Sequence, residues 1–283
     1  MGSNAAQQMS TAGAAAAPDD EFPRRRNPLL RLVGQVGWNA IPVLTFVAIV
    51  VLWDLGVRIF KVPVYLVPAP EAVFNVLVSQ TGMLLAHTRV TFIEILLGFG
   101  LTLVTAIPLG LVIALSPLAK QVLYPPAMLL QLVPKIAMAP LFLVWFGFGI
   151  ESKVILTLLM TFFPLLIASI SGFQILDTRL LYLTKSMGAG HWKTFRYLRV
   201  PAALPVIFAG IKTSATIAAT AAIVAEFVGA NEGLGYVLLR STSTMDIELT
   251  FAVLVVLTVI GLAINYAVEF SEWLLAPWQR KSN

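Results

Sequence analysis

Ionisable and hydroxyl side chains occur at a few positions inside otherwise apolar stretches of this chain. Lys135 lies in one such stretch, and Lys212, Thr216, Thr220 and Glu226 fall within an arc of about 120° on a helix that turns roughly 100° per residue. A charge in mid-membrane is costly unless it faces water or a partner. Residues of these types therefore favour the binding or passage of a polar solute.

Each of these residues also has a structural interpretation. Lys135 could form an ion pair with a carboxylate such as Glu94, and Glu94 could instead pair with Arg89. The four residues from Lys212 to Glu226 that share this arc form a polar strip. The strip could be a helix contact, because the alanines around it allow close packing. For Lys135 both interpretations stay open, whereas the strip is predicted to line a path.

A second polar group, the segment 186–205, separates two long apolar runs and carries Lys193, Arg196 and Arg199. Cations at such a place fix the orientation of a membrane protein, bind phosphate or dock onto a partner. A phosphate-binding loop is excluded, because Trp192 stands where a glycine must precede the lysine. Orientation and docking remain.

Docking explains more features of this segment than orientation does. The stretches 180–187 and 191–199 are predicted to form two short helices, with a glycine bend at Gly188. Trp192 and Arg199 share one face of the second helix. Two short helices at a fixed bend, aromatic on one side and cationic on the other, fit a groove on a partner protein.

Catalytic chemistry is not expected. The chain has no cysteine, and its two histidines, His87 and His191, are far apart in sequence. These residues give no thiolate nucleophile and no metal-ligand spacing. We therefore predict a chain that is not an enzyme and has no cofactor of its own.

The composition indicates which elements hold these residues. Of 283 residues, 58% are hydrophobic and only 12% are charged, with a mean hydropathy of +0.87. A soluble domain has about twice this charged fraction. An all-α membrane protein is predicted, with six transmembrane helices at the apolar runs 38–60, 85–115, 122–146, 154–173, 203–228 and 249–270. The third is expected to be irregular because it contains four prolines.

Basic residues set the predicted orientation. Segment 174–200 has five basic residues against one acid, whereas 229–248 has three acids and one basic residue. Both termini are therefore placed in the cytoplasm. The chain is divided into a disordered, basic N-terminus (1–37), a transmembrane domain (38–273) and a cytoplasmic C-terminus (274–283).

The spacing in the basic segment resembles a known signature. A glycine, nine residues, an aliphatic residue, one residue, another aliphatic residue and proline occur as Gly188, Leu198, Val200 and Pro201. This pattern resembles the cytoplasmic signature of the inner-membrane permeases of binding-protein-dependent ABC importers. The Glu-Ala-Ala that begins their signature is replaced here by Tyr-Leu-Thr at 182–184, which removes a charge that such permeases usually present to the ATPase.

Two further stretches extend this resemblance to about residues 65–278. The stretch 133–153 is similar to the third-span region of the nitrate, sulfonate and taurine type of these permeases. The stretch 223–239 is similar to the end of their fifth span and the loop after it. Close variants occur in permeases for thiamine pyrimidine, riboflavin and aromatic acids.

The resemblance implies a type I ABC importer core of five helices, here with one additional N-terminal span. It implies a second permease copy, usually identical, a dimer of cytosolic ABC ATPase subunits that uses ATP and Mg²⁺, and a periplasmic or lipid-anchored solute-binding protein. It also implies a bacterial inner-membrane location. No nucleic-acid partner is expected, because the basic residues lie in membrane-flanking loops. The residues expected to couple to the ATPase are Tyr182, Thr184, Lys185, Gly188, Ala189, Trp192, Phe195 and Pro201.

The expected solute is a small anion such as a sulfonate, taurine or nitrate, because Lys135 near the axis of a homodimer would supply positive charge. The predicted translocation path comprises Lys135, Lys212, Thr216, Thr220 and Glu226. A neutral heterocycle, a vitamin precursor or an aromatic acid is the alternative solute. A channel or carrier that works without ATP is the alternative class.

Overall fold

The computed structural model describes residues 28–278, and their side chains from Ile41 onward except that of Thr178. Tail residues 1–27 and the basic C-terminal residues 280–281 lie outside the described part. Helix α1 (Pro28–Ile59) starts earlier than the span predicted at 38 and so begins within the predicted N-terminal segment 1–37. Pro28 suits the first turn of a helix, and the leucines after it favour its continuation.

Ten further α-helices follow in the described range: α2 (Pro70–Ser79), α3 (Thr81–Leu115), α4 (Pro117–Gln131), α5 (Ala139–Phe146), α6 (Ile150–Gln174), α7 (Thr178–Ser186), α8 (His191–Thr194), α9 (Val200–Gly229), α10 (Leu234–Ser243) and α11 (Ile247–Leu275). No strand occurs between residues 28 and 278. Packing divides the chain into a unit that ends at Trp53 and one that begins at Asp54. The second unit contains α2 to α11 and every predicted site residue.

Between residues 28 and 278, five helices are long and apolar enough to cross a membrane, and a sixth span results if one bent pair counts as a single crossing. This confirms the prediction of a helical membrane protein, and the six predicted spans are reached when the bent pair counts as one crossing. Polar residues fix several helix starts. Ser116 accepts from the Ala119 N–H (3.2 Å) before α4, and Asp246 accepts from the Leu249 N–H (3.1 Å) before α11.

The third predicted span is broken, as its prolines indicate. α4 ends at Gln131, a 3₁₀ turn occupies Lys135–Met138, and α5 starts at Ala139 at an angle of 83° to α4. Pro134 directly precedes the 3₁₀ turn. Pro125 and Pro126 lie inside α4 without ending it. The break therefore occurs at only one of the proline positions, and Lys135 lies next to it.

A short helix was missed in the loop predicted between the last two spans. α10 occupies most of 229–245 and buries Leu234, Val237 and Leu238, which join a core cluster with α9 and α11 residues. Its serines and threonines resemble loop composition, but α10 has an apolar face that packs on its neighbours. The loop expected at this end is therefore largely helical.

Small residues let α3, α6 and α9 pack closely. A Cβ atom added at Gly98 of α3 would lie 2.6 Å from Thr157 Cβ of α6, and one added at Gly110 would lie 2.5 Å from Ser169 Cβ. Gly210 of α9 meets Ala168 of α6 in the same way. Close approach through glycine is the usual way for helices to associate in a membrane.

Gly110→Val is expected to lower the stability of the purified protein by about 1–3 kcal/mol, because the new side chain must displace the backbone and Ser169 of α6. Gly100→Val on the same helix is the matched control, since no atom lies within 4 Å of its added Cβ. Thermal unfolding in detergent measures both. Equal unfolding midpoints for the two variants would contradict the close packing of α3 against α6.

Candidate transport and coupling sites

The basic segment folds into two short helices, which confirms that prediction. α7 ends where Gly188 adopts a φ of +78°, and the N–H groups of Gly188 and Ala189 donate to the carbonyls of Lys185 (3.1 Å) and Thr184 (3.0 Å). A positive φ is unstrained only for glycine. α8 begins after Gly190 and continues through a π-helical turn into α9.

A groove of about 940 Å³ lies between this segment and the end of α3. Apolar, aromatic and basic side chains line it, with Ala189 and Thr194: Leu111, Leu115, Leu181, Tyr182, Trp192, Phe195, Lys185, His191 and Arg199. Tyr182 and Trp192 are 71% and 72% exposed. The Trp192 and Phe195 rings lie 5.8 Å apart. Such a surface fits an apolar element of a partner that also carries negative charge.

The structure brings together five of the eight predicted coupling residues around this groove: Tyr182, Lys185, Ala189, Trp192 and Phe195. The Thr184 hydroxyl instead donates to the Leu180 carbonyl within α7 (3.1 Å). Gly188 forms the bend, and Pro201 lies in the first turn of α9. These three residues shape the segment without lining the groove.

Lys135 is half-buried at the break between α4 and α5. Its Nζ donates to the Gln131 carbonyl (2.7 Å) and lies 5.2 Å from the centroid of the Phe163 ring. The predicted alternative in which Lys135 pairs with Glu94 is wrong, because Glu94 pairs with another lysine. The ammonium group lies at the one place where this span lacks regular helix.

The residues of the polar strip on α9 differ in their exposure. Thr216 and Thr220 are exposed. Lys212 lies one turn before Thr216 and pairs with Glu272 of α11 (2.5 Å). Glu226, by contrast, is 1% exposed, because the start of α10 folds over it. Three of the four predicted strip residues therefore share an accessible face, and Glu226 makes a buried helix contact.

A buried polar cluster joins α3, α6 and α9. Lys153 Nζ of α6 lies 2.6 Å from Glu94 Oε1 of α3, with side-chain exposures of 7% and 1%. The pairing of Glu94 with Arg89 is therefore also wrong. Next to this pair, Thr91 Oγ1 donates to Glu226 Oε1 (2.6 Å). Lys153 was missed because it directly follows Glu151 and Ser152, in a stretch that resembles a short polar connection.

Glycines bring the α9–α10 loop against this cluster. The Gly235 N–H donates to Glu226 Oε2, and the Leu234 N–H donates to Thr91 Oγ1 (2.8 Å). The Gly233 N–H donates to His87 Nδ1 (3.0 Å). An added Cβ at Gly235 would lie 2.7 Å from Glu226 Oε2. Glycine is therefore required for the loop to reach the carboxylate.

Comparison with known proteins identifies the family. Residues 106–281 match the family described as binding-protein-dependent transport system inner membrane component. This match covers more than half of the chain and includes the broken span, the groove segment and the cluster residues of α6 and α9. The chain belongs to this family of permeases. The resemblance inferred from the signature at Gly188 is confirmed.

Relatives of this permease are similar over almost their whole length. The formylaminopyrimidine transport permease protein ThiX of Halalkalibacterium halodurans is 33% identical, with 85% of this chain and 96% of the relative covered. The riboflavin transport system permease protein RibX of Chloroflexus aurantiacus is 33% identical, with 90% and 96% covered. A putative aliphatic sulfonates transport permease protein, SsuC of Bacillus subtilis, is 28% identical, with 82% and 84% covered.

A solved structure of the MetNI methionine ABC transporter, in inward-facing conformations, shares the fold of this permease. The TM-score is 0.59 at 17% sequence identity, with 69% of this chain and 97% of the other covered. The permease therefore has the type I importer fold. Between residues 28 and 278, no group of three His, Cys, Asp or Glu side chains is placed to hold a metal ion.

Proposed function

We propose that this permease is the transmembrane subunit of an ATP-driven importer in the bacterial inner membrane and forms the path for a small solute. A second permease copy, two cytosolic ATPase subunits that use ATP and Mg²⁺, and a solute-binding protein complete the assembly. Both termini lie in the cytoplasm, since the basic residues concentrate in the segment that contains α7 and α8. The family supports the transport role.

The observation that carries the proposal is the groove beside α7 and α8. Trp192 and Tyr182 are exposed and belong to one contiguous apolar groove that also contains lysine and arginine, and such patches mark interaction sites. Aromatic residues and arginine also dominate the binding energy of protein interfaces. An ATPase subunit that inserts an apolar, acidic element there would be mechanically connected to α9, because α8 continues into α9.

Reconstitution tests this function. Liposomes that contain the permease together with its ATPase and solute-binding protein should accumulate solute only when ATP is present. Liposomes with the permease alone should show neither ATP hydrolysis nor sustained solute flux. Sustained flux through the permease alone would instead identify a channel or carrier.

We propose a small anion as the solute. Lys135 takes part in none of the ion pairs among the described side chains, whereas Lys153 and Lys212 each have a carboxylate partner. An ammonium group has three N–H donors, and the Gln131 carbonyl takes one of those of Lys135. Two copies of Lys135 in a dimer would favour a sulfonate, carboxylate or nitrate. The exposed Thr216 and Thr220 are proposed to line the same path.

Lys135→Met is expected to reduce uptake by about tenfold or more, because the path loses the charge that attracts the anion. Stimulation of ATP hydrolysis by the loaded binding protein should persist. Lys120→Met on α4 is the matched control, because Lys120 is an exposed lysine that bonds only to Gln174 among the described contacts (3.1 Å). Unchanged uptake with Lys135→Met would remove Lys135 from the path.

A neutral heterocycle is the second candidate. Two relatives that are each 33% identical are named for formylaminopyrimidine and riboflavin. The contact between Lys135 and the Phe163 ring supports a structural cation–π role for this lysine. Ligand screening of the solute-binding protein separates the two candidates, since a heterocycle bound there without competition from anions would favour the second.

A further inference from the structure

The buried cluster of α3, α6 and α9 contains two acids and one cation. Glu94 and Glu226 are each 1% exposed, and Lys153 is 6% exposed. Lys153 balances one negative charge through its bond to Glu94. Among the described residues, no ion pair includes Glu226. With both acids ionised the cluster would hold an uncompensated negative charge away from water, which is strongly unfavourable.

One oxygen of the cluster lacks a hydrogen-bond donor. Glu94 Oε2 is buried and receives no hydrogen bond from the described protein atoms. The carboxyl groups of Glu94 and Glu226 belong to the same buried cluster. Thr91, one helical turn before Glu94, also bonds to Glu226 and holds it in this position. Because ionised carboxylates only accept hydrogen bonds, Glu226 could satisfy the free Glu94 oxygen only if a proton is bound between the two groups.

We propose that Glu94 and Glu226 form a proton-binding site that holds one proton between their carboxyl groups, with Lys153 as the counter-ion. The proton supplies the missing donor and balances the charge. It also fastens the α9–α10 loop, because Glu226 accepts from the Gly235 N–H. The groups that face the acid pair are Lys153 on α6, Thr91 on α3 and this N–H at the start of α10. The site is separate from the proposed solute path.

Infrared spectroscopy of the purified full-length permease counts this proton. The spectrum should contain the carbonyl band of a protonated carboxyl group at neutral pH. Glu94→Gln and Glu226→Gln should each remove the whole band, because Lys153 then balances the single remaining carboxylate. Glu71→Gln is the control, since Glu71 is an exposed acid and its replacement should leave the band. The proposal would be overturned if the parent spectrum showed no such band, or if the band persisted in either cluster variant.

Unfolding midpoints test the charge balance independently. Glu94→Gln should unfold near the parent midpoint, because its amide N–H can replace the shared proton. Glu94→Gln combined with Glu226→Gln should lower the midpoint by roughly 10 °C, because Lys153 is left as a buried charge without a counter-ion. Adding Lys153→Met to that pair should restore most of the loss. A double variant as stable as the parent, or a triple variant no better than the double, would overturn the proposal.

Discussion

Replacing Lys153 by methionine is expected to lower the free energy of unfolding of the permease by about 3–5 kcal/mol. The Lys153 ammonium lies 2.6 Å from Glu94 Oε1, and both side chains are buried between α3 and α6. Methionine fills a similar volume but leaves two acids without a cation. The measurement is thermal or denaturant unfolding of the purified permease, together with the yield of folded protein in the membrane.

Lys212→Met provides the comparison for this result. The Lys212–Glu272 pair is as short, at 2.5 Å, but its side chains are 40% and 19% exposed. Water screens such a pair, so its loss should cost about 1 kcal/mol or less. The double variant Lys153→Met/Glu94→Gln should recover much of the stability lost with Lys153→Met. Equal effects of the two single lysine substitutions would show that burial does not strengthen the Lys153 pair.

Loss of coupling is the second large effect that we expect. Trp192→Asp should reduce ATP-driven uptake by about tenfold or more, because it places a negative charge in the groove and removes an aromatic anchor. Gly188→Pro should have a similar effect, since proline cannot adopt the φ of +78° at this bend. Membrane insertion should stay normal for both variants, because both residues lie outside the apolar run 203–228. Uptake and insertion are measured in the same cells.

Two neighbouring positions give matched controls for the coupling variants. Tyr197 is 73% exposed in the same segment but does not line the groove, so Tyr197→Asp should transport normally. Gly190 has a φ of −68° and open space around its added Cβ, so Gly190→Ala should also be neutral. Normal transport by Trp192→Asp and Gly188→Pro would leave the segment with an orientation role only.

Local chemistry explains which elements could be predicted from the sequence. The long apolar runs located the spans, and the glycine bend at Gly188 located two short helices. Prolines predicted an irregular third span, but they did not show that the break would fall at Pro134, while Pro125 and Pro126 stay inside α4. A proline is tolerated where neighbouring structure compensates for the lost hydrogen bond. That compensation depends on tertiary packing.

The partner of Glu94 shows why the buried cluster could not be predicted. Lys153 is 59 residues away in sequence and is the last residue of the polar triplet 151–153, so it resembled a loop residue. Lys135 and Arg89 are both nearer to Glu94 in sequence than Lys153 is, and they were therefore the expected partners. Only the glycine-mediated packing of α3 against α6 brings the ammonium group of Lys153 to Glu94. The residue types indicated buried charge, but the choice between lysines depended on helix packing.

The helical stretch from His191 to Gly229, which includes a π-helical turn at Phe195–Arg199, has a mechanical consequence. Its 39 residues correspond to a rod about 58 Å long. A tilt of about 5° about one end would move the other end by about 5 Å, which exceeds the length of a hydrogen bond. Trp192 lies near one end of this lever and Glu226 near the other. We therefore expect a tilt about the Trp192 end to strain the contacts of Glu226 with Thr91 and Gly235 most.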